Sequence, residues 1–378
     1  MPVQKININE FLHIAKQYPV LDVRSPGEYK HAHIPQAFNL PLFTDEERKQ
    51  VGTAYKQQSR ETAIKIGLDF FGIKMRRMVE EAESVVAGYS LLVADSYLKE
   101  PENFKTIKEQ QPTKNIIVHC WRGGMRSAAV AWLLDMYGFK VYLLTGGYKA
   151  YRKWVLSQFE KEYNFNIVGG YTGSGKTLLL HELKKQGKII INLEDLAKHK
   201  GSAFGALKNI LQPGQEMFEN LLAYELLAVS ATMTEMNNSK NIIYIEDESQ
   251  RIGNLQIPMP LWFTMRKAPV YFIDIPFEQR LNYITEVYGK EEKENLRESI
   301  LRIQKRLGGL ETKNAIRFLD DDDFKACFGI LLRYYDKWYY KGLQKRENLS
   351  SLLNKIPCTD VDTATNTQKI LSCNTVNA

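Results

Sequence analysis

Cys120 lies at a position in the sequence where a thiol could act as a nucleophile. Residues 115–119 before it are apolar enough for a buried strand, and residues 128–137 after it have the apolar density of a helix that ends before Gly138. The loop between them contains two glycines and two arginines. Loop amides, the positive end of a helix and nearby cations each favour a thiolate over a thiol. The pattern therefore predicts a reactive cysteine, because the common alternative, an inert packing cysteine, needs none of these features.

The same loop is predicted to form a cradle for an anion, or for a chalcogen atom carried on the sulfur. Glycines allow backbone amides to turn towards a bound group, and the arginines add positive charge. The residues assigned to this cradle are Trp121, Arg122, Gly123, Gly124, Met125 and Arg126.

A second anion-binding pattern follows the apolar stretch 165–168. It has the P-loop spacing G-x-x-x-x-G-K-[ST], and a helix is predicted directly after it at 178–185. In such a loop the backbone amides surround a diphosphate, Lys176 contacts the outer phosphate, and the hydroxyl of Thr177 can bind Mg²⁺. The residues assigned to diphosphate binding are Gly170, Tyr171, Thr172, Gly173, Ser174, Gly175, Lys176 and Thr177.

Two further segments carry candidate polar contacts, and each also has a plainer explanation. A strand predicted at 241–245 ends in acidic residues, which fits the magnesium side of a P-loop site but is also common in ordinary loops. Residues 198–205 combine cations with two glycines, which fits a substrate loop, although charged runs are more often simply solvated. The residues assigned as candidate substrate or magnesium-side contacts are His199, Lys200, Ser202, Glu246, Asp247 and Arg251.

Two late segments have compositions that suit a nucleic acid ligand. Residues 302–306 are mostly cationic, and residues 333–341 interleave aromatic side chains with cations. Aromatic rings stack on bases and cations contact phosphates, so RNA is one candidate ligand. An amphipathic helix that buries its Tyr and Trp side chains would give the same pattern. The sequence leaves both interpretations open.

The composition indicates a globular protein of a reducing compartment. A chain of 378 residues, with 44% hydrophobic and 25% charged residues, is long enough for two domains. The net charge of +7 is compatible with an anionic partner but does not require one. The four cysteines are far apart, so neither a disulfide framework nor a zinc site is indicated. No signal-peptide core and no apolar run of membrane-spanning length is found, so we expect a cytoplasmic location and no membrane partner.

The first 150 residues resemble a rhodanese domain. The matching segments are residues 22–29, 33–35, 120–126 and 145–147, together with Ala37 and Asn39. The resemblance implies that Cys120 carries sulfur or selenium. Five residues separate Cys120 from Arg126, one more than in the usual sulfurtransferase loop. That length also resembles the cell-cycle phosphatase branch of the fold, so loop length alone does not choose between selenium and a phosphate oxyanion.

Nearly the whole chain resembles the bacterial tRNA 2-selenouridine synthase family. The matching segments are residues 120–127, 173–177, 199–205 and 246–249, with additional matches at 51–56 and 334–336. The resemblance implies a transferase that acts on the wobble 2-thiouridine of tRNAs for lysine, glutamate and glutamine. It implies S-geranylation from geranyl diphosphate, followed by replacement of the geranylthio group by selenium from selenophosphate, with Cys120 as the carrier. One departure is Lys200, where the family is expected to have arginine.

The predicted fold class is α/β, because strands alternate with helices and each domain should therefore contain a parallel sheet covered by helices. We expect a rhodanese-like domain at 1–150 and a helical connector at 151–163. We expect a P-loop NTPase-like domain with a helical C-terminal part at 164–355, and a polar, poorly ordered tail at 356–378. No tightly bound cofactor is expected, Thr177 is a candidate ligand for Mg²⁺, and the oligomeric state is not indicated.

Two other functions remain open on the sequence alone. One is a rhodanese-fold cysteine phosphatase fused to a P-loop ATPase, which would hydrolyse an aryl phosphate without tRNA. The other is a non-catalytic nucleotide-sensing module in which the Cys120 loop only binds an anion.

Overall fold

The computed structural model describes residues 3–97, 114–199, 211–235 and 242–376. The chain divides into two compact units, residues 1–157 and 158–378. Among the described residues, no helix is both long and apolar enough to cross a membrane.

The first unit contains a five-stranded parallel sheet. Its strands are β1 (Gln4–Ile6), β2 (Val20–Asp22), β3 (Phe38–Asn39), β4 (Asn115–His119) and β5 (Lys140–Leu144), in the spatial order β1-β5-β4-β2-β3. The register pairs Leu21 of β2 with Val118 of β4, and Asp22 with His119. The carboxyl ends of the two central strands therefore meet at one edge of the sheet, directly before Cys120.

Helices surround this sheet. They are α1 (Ile8–Ile14), α2 (Pro26–His31), α3 (Asp45–Gln57), α4 (Arg60–Gly72), α5 (Met75–Tyr97), α6 (Met125–Tyr137) and α7 (Gly147–Gln158). Ile116 and Val118 of the sheet pack with Val130 and Leu134 of α6 in one apolar core. Helix α4 ends at Gly72 and α5 begins at Met75, so the helical stretch from residue 60 onward is interrupted at residues 73–74.

The second unit contains another five-stranded parallel sheet and a short antiparallel hairpin. The strands of the sheet are β6 (Phe165–Gly170), β7 (Ile189–Ile191), β8 (Ile243–Glu246), β11 (Val270–Asp274) and β12 (Leu353–Pro357), in the order β12-β11-β6-β8-β7. The hairpin is formed by β9 (Arg251–Ile252) and β10 (Leu255–Gln256). The sheets of both units are parallel, which confirms the predicted fold class.

Ten helices are described in this unit, and those after β11 dominate its C-terminal part, as predicted. They are α8 (Lys176–Lys185), α9 (Leu193–Ala197), α10 (Gln215–Glu235), α11 (Met259–Lys267), α12 (Phe277–Tyr288), α13 (Lys293–Leu307), α14 (Gly309–Asp320), α15 (Phe324–Leu343), α16 (Leu349–Leu352) and α17 (Thr363–Val376). Helices α12 to α15 share an apolar core that includes Leu281, Leu296, Leu319 and Phe328.

The expectation of a poorly ordered tail after residue 355 is wrong. Strand β12 pairs in parallel with β11, so that Ile356 lies opposite Ile273 in the sheet. Helix α17 packs against α8, and Ile370 is fully buried in the core around the sheet. The segment is mostly polar, so its few apolar residues did not indicate a packed element. In the structure, Ile356 and Ile370 among them are buried in the core at this edge of the sheet.

Candidate functional site

The structure places Cys120 between β4 and α6, as the sequence predicted. Its side chain is only 3% exposed and packs on the apolar core of the first unit. The hydroxyl of Ser127 lies 3.1 Å from the sulfur and donates a hydrogen bond to it. The loop over the sulfur is more open, since Trp121 and Arg122 are exposed. Cys120 is therefore buried beneath an exposed loop, with one polar contact from the helix that follows.

The turn between β5 and α7 closes against the Cys120 loop. Tyr148 donates its backbone N–H to the carbonyl oxygen of Cys120 at 2.8 Å, and Lys149 donates to that of Trp121 at 2.9 Å. Gly147 has a φ of +54°, and a Cβ there would lie 2.2 Å from the Cys120 carbonyl oxygen. Only glycine fits at this contact.

Replacing Gly147 with alanine should destabilise the first unit by more than about 2 kcal/mol, because left-handed backbone strain adds to a direct clash. The matched control is Gly124→Ala, since Gly124 has a negative φ and a Cβ there meets no atom within 4 Å. Scanning calorimetry of the full chain should show a lower melting temperature for Gly147→Ala alone. Equal melting temperatures would contradict the tight contact.

Arg126 does not point freely at the loop, because it is held by an acidic residue distant in the sequence. Its guanidinium forms two hydrogen bonds with Glu28, and the shorter joins Nη1 to Oε2 at 2.7 Å. Glu28 also accepts from the backbone N–H of Ser25, at the start of α2. Arg122 forms no ion pair with any described residue and is the exposed cation of the loop. The two arginines therefore differ in role: Arg126 ties the loop to α2, and Arg122 remains available to an anion.

The Glu28–Arg126 pair should make the first unit sensitive to acid. Burial opposes ionisation of Glu28, but the hydrogen bond and charge of Arg126 outweigh it and lower the pKa from 4.5 to about 2. A carboxyl whose pKa falls on folding contributes stability above its unfolded pKa and loses that contribution as the pH approaches the folded value. Between pH 4.5 and 2, calorimetry should show that the wild type loses more stability than Glu28→Gln. Parallel pH profiles for the two proteins would contradict this.

Beside the Cys120 loop lies a buried polar cluster formed by Asp22, Arg24 and His119. Arg24 donates from Nη2 to Asp22 Oδ2 at 2.6 Å and to the carbonyl oxygen of Ala32 at 2.8 Å. The guanidinium also lies 3.9 Å from the ring centroid of Tyr148. Burial opposes ionisation of the Asp22 carboxyl. His119, which faces this carboxyl, and Arg24, which donates hydrogen bonds to it, nevertheless lower its pKa. Burial lowers the pKa of His119, so the Arg24–Asp22 pair carries the charge here.

The second candidate site is the P-loop, between β6 and α8. Its backbone requires glycine, because Gly170, Gly173 and Gly175 have φ values of +155°, +81° and +74°. At Gly173 a Cβ would lie 2.7 Å from the side chain of Ile284 on α12. The hydroxyl of Ser174 is buried and has no hydrogen-bond partner among the described residues. The backbone of the loop is thus tightly constrained, and the Ser174 hydroxyl is a buried donor without a partner among the described residues.

Lys176 and Thr177 open helix α8. The ammonium of Lys176 donates to the carbonyl oxygen of Gly170 at 3.0 Å, and so lies across the loop. The hydroxyl of Thr177 donates to Glu194 Oε2 at 2.8 Å. The positive end of α8 and the lysine together favour a bound diphosphate.

The carboxylate of Glu194 lies beside Thr177, and Glu194 is linked in turn to Glu246. The backbone N–H of Glu194 donates to Glu246 Oε1 at 2.8 Å, while Glu246 Oε2 is buried without a partner among the described residues. Burial and the nearby Glu194 and Glu248 raise the pKa of Glu246 well above its usual value. In the described part of the chain no three His, Cys, Asp or Glu side chains are grouped to hold a metal ion by themselves. Mg²⁺ normally uses one or two carboxylates together with substrate phosphates, and the Thr177 hydroxyl with the adjacent carboxylate of Glu194 fits that donor set.

The other predicted contacts lie in different environments. Asp247 is held by Arg346 Nη2 and by the hydroxyl of Tyr339, which donates to Oδ2 at 2.7 Å, so its carboxylate is already paired. Arg251 is exposed on the β9–β10 hairpin and donates to the carbonyl oxygen of Gly253. His199 lines the same cavity as the P-loop, and burial lowers its pKa. Lys200 and Ser202 lie outside the described residues.

The P-loop opens into a cavity of about 1220 Å³ within the second unit. Lys176 and Thr177 line it together with Glu194 and Glu248. Much of the rest of the lining, here called the apolar wall, consists of apolar and aromatic side chains. The residues of this wall are Trp262, Tyr283, Ile284, Val287, Tyr288, Phe328, Leu331, Leu332, Tyr334, Tyr335 and Trp338.

A buried ion pair that sequence reasoning missed holds the P-loop in place. Arg280 on α12 forms two hydrogen bonds with Asp336 on α15, at 2.9 and 2.7 Å. The same guanidinium donates to the carbonyl oxygen of Thr172 in the loop at 3.0 Å. Only the match at residues 334–336 hinted at Asp336, and no local pattern marks Arg280.

The two sites define a class of protein: a rhodanese-like domain followed by a P-loop domain. A family model for the rhodanese-like domain matches residues 8–66 and 89–153, and one for the tRNA 2-selenouridine synthase AAA domain matches residues 163–357. The tRNA 2-selenouridine synthase of Bdellovibrio bacteriovorus is 33% identical over 92% of this chain and 94% of that protein.

Two further relatives agree with this match. The tRNA 2-selenouridine synthase of Serratia proteamaculans is 33% identical over 87% of each chain. That of Nitrosomonas europaea is 34% identical over 71% of this chain and 63% of that protein. The chain belongs to the tRNA 2-selenouridine synthase family, which confirms the resemblance found in the sequence.

Proposed function

We propose that this protein is a transferase that converts wobble 2-thiouridine of tRNA into 2-selenouridine, in the tRNAs for lysine, glutamate and glutamine. The names of its relatives, which are tRNA 2-selenouridine synthases, support tRNA as the substrate and 2-selenouridine as the product. The observation that supports the two-step route is the lining of the P-loop cavity. The residues suited to a diphosphate share this cavity with many apolar and aromatic side chains, and a prenyl diphosphate needs both kinds of contact.

In the first step, the sulfur of 2-thiouridine attacks the diphosphate-bearing carbon of geranyl diphosphate. The carbon–oxygen bond breaks, diphosphate leaves, and the base loses its N3 proton. Lys176 and the amides of the P-loop stabilise the charge that develops on the diphosphate. Thr177 and Glu194 would hold Mg²⁺, which supplies further charge neutralisation when bound. The apolar wall holds the geranyl chain and keeps water from the reacting carbon.

In the second step, Cys120 carries selenium. In this cycle Cys120 starts as a mixed disulfide with a small thiol. Hydrolysis of the selenium–phosphorus bond of selenophosphate releases phosphate, and the resulting selenide displaces the small thiol from Sγ, which leaves a selenosulfide on Cys120. The terminal selenium then adds to C2 of the base and geranyl thiol leaves. A small thiol finally attacks Sγ, which breaks the sulfur–selenium bond, releases 2-selenouridine and restores the mixed disulfide. The added atom extends the reactive end roughly 2 Å beyond Sγ, which matters because Cys120 is only 3% exposed. Arg122, the exposed cation of the loop, would attract the anionic selenium donor.

The function is tested by incubating the protein with thiolated tRNA and analysing the nucleosides by mass spectrometry. With geranyl diphosphate alone, S-geranyl-2-thiouridine should accumulate, and later addition of selenophosphate should convert it to 2-selenouridine. Absence of a geranylated nucleoside under all conditions would contradict the proposal. Hydrolysis of an aryl phosphate by the wild type but not by Cys120→Ser would favour the phosphatase instead.

A further inference from the structure

The cavity has cations at its mouth that the P-loop chemistry does not use. Lys198 follows α9, Arg306 lies near the end of α13, and Lys345 follows α15; all three line the cavity and are exposed. None of the three forms an ion pair with a described residue. Three elements far apart in the sequence thus bring unpaired positive charge to one opening. Such a group concentrates an extended anion rather than one small phosphate.

Beside these cations, helix α15 presents an aromatic surface to the cavity. Trp338 is 48% exposed, and its ring lies 6.4 Å from that of Tyr334 in an edge-on arrangement. Lys341 Nζ lies 5.1 Å from the Trp338 ring centroid. Within residues 333–341, the hydroxyl of Tyr339 accepts from the backbone N–H of Gly170 and donates to Asp247. The amphipathic-helix and RNA-contact interpretations of this segment are therefore compatible, because Tyr339 is held inside the unit while Trp338 remains accessible.

We propose that the mouth of the P-loop cavity docks a single-stranded RNA loop. One base enters the cavity against Trp338, and the phosphates around it contact Lys198, Arg306 and Lys345. The inference rests on the proposed function: the sulfur of the base must reach a carbon attached to the diphosphate at the P-loop, so the base must enter this cavity. Aromatic stacking with flanking cations is the usual way in which proteins hold an unpaired base.

The test measures the affinity of the full chain for an anticodon stem-loop RNA that contains 2-thiouridine, by fluorescence anisotropy at several salt concentrations. The triple variant Lys198→Ala, Arg306→Ala, Lys345→Ala should bind at least about 10-fold more weakly. The slope of log affinity against log salt concentration should be less steep by about 2, because each single-strand phosphate contact contributes about 0.7 to that slope and three contacts are lost. The matched control is Lys184→Ala, Lys188→Ala, Lys313→Ala, which removes three exposed cations of the same unit that do not line the cavity.

The control variant should bind RNA with nearly the wild-type affinity and salt dependence. Equal losses in the two triple variants would show general charge attraction and overturn the docking site. Trp338→Ala should weaken binding about 10-fold, the size of one lost base–aromatic stack, and Trp338→Phe should restore most of it. Wild-type affinity in Trp338→Ala would likewise overturn the proposal.

The two proposals can fail separately. If the wild type geranylates thiolated tRNA but the cavity variant binds RNA as tightly as wild type, the docking site is wrong and the proposed function stands. If RNA binding depends on the cavity residues but no geranyl transfer occurs, the docking site stands and the proposed function is wrong.

Discussion

Replacing Lys176 with alanine is expected to lower geranyl transfer at least about 100-fold. Lys176 begins the helix after the P-loop, and its ammonium lies across the loop at the carbonyl oxygen of Gly170. Charge develops on the leaving diphosphate in the transition state, and removal of one positioned donor to such a charge typically costs two to three powers of ten in rate. The measurement is the initial rate of S-geranyl-2-thiouridine formation, followed by nucleoside mass spectrometry.

The matched control is Lys184→Ala, an exposed lysine on the same helix that does not line the cavity. It should retain the wild-type rate within about twofold, because surface changes away from a site are usually small. The Lys176 variant should also bind geranyl diphosphate more weakly in calorimetric titrations. Full activity of Lys176→Ala would show that the P-loop does not hold the leaving group.

Replacing Cys120 with serine is expected to abolish selenium transfer while geranyl transfer continues. A hydroxyl is a far poorer nucleophile than a thiolate and cannot carry selenium as a selenosulfide, so the loss should be at least about 1000-fold. Geranyl transfer should stay within about twofold of wild type, since its proposed machinery lies in the second unit. Both nucleosides can be measured in one digest of the same tRNA.

Cys373→Ser provides the control for the loss of a thiol. Cys373 lies on α17 and is more exposed than Cys120, so a reaction of any accessible thiol would depend on it first. It should leave both products unchanged. Selenium incorporation by a folded Cys120→Ser variant would show that Cys120 is not the selenium carrier. Loss of both geranyl and selenium transfer in this variant would show that the two steps do not depend on separate sites.

The sequence predicted well whatever depends on neighbouring residues. A strand, a glycine-rich turn and a helix in succession placed Cys120 after β4 and the P-loop after β6. Each of these is a local pattern, because the spacing of the glycines and the apolar runs on both sides determine it. Both positions are found in the structure. The structure also shows that Gly147 contacts the backbone of Cys120, and this contact and the φ of Gly147 cannot be seen in the sequence.

Contacts between distant residues could not be predicted in this way. Arg126 was assigned to the cradle for its charge, yet Glu28 binds it from 98 residues away. Asp247 was a candidate on the magnesium side, yet Arg346 binds it from 99 residues away. Glu194 was not assigned to a site at all, although it accepts the hydrogen bond of Thr177. A charged residue in the sequence indicates that an ionic or hydrogen-bonding partner is needed, but the sequence does not identify the distant residue that the fold brings to it.

The central claim is that two anion sites act in succession on the same base, and supplying the intermediate tests it most directly. tRNA that already carries S-geranyl-2-thiouridine is given to each variant with selenophosphate and a reducing thiol, and the nucleosides are analysed by mass spectrometry. Lys176→Ala should form 2-selenouridine at close to the wild-type rate, because its missing step has been bypassed, while Cys120→Ser should form none. Failure of Lys176→Ala, or success of Cys120→Ser, would contradict the account.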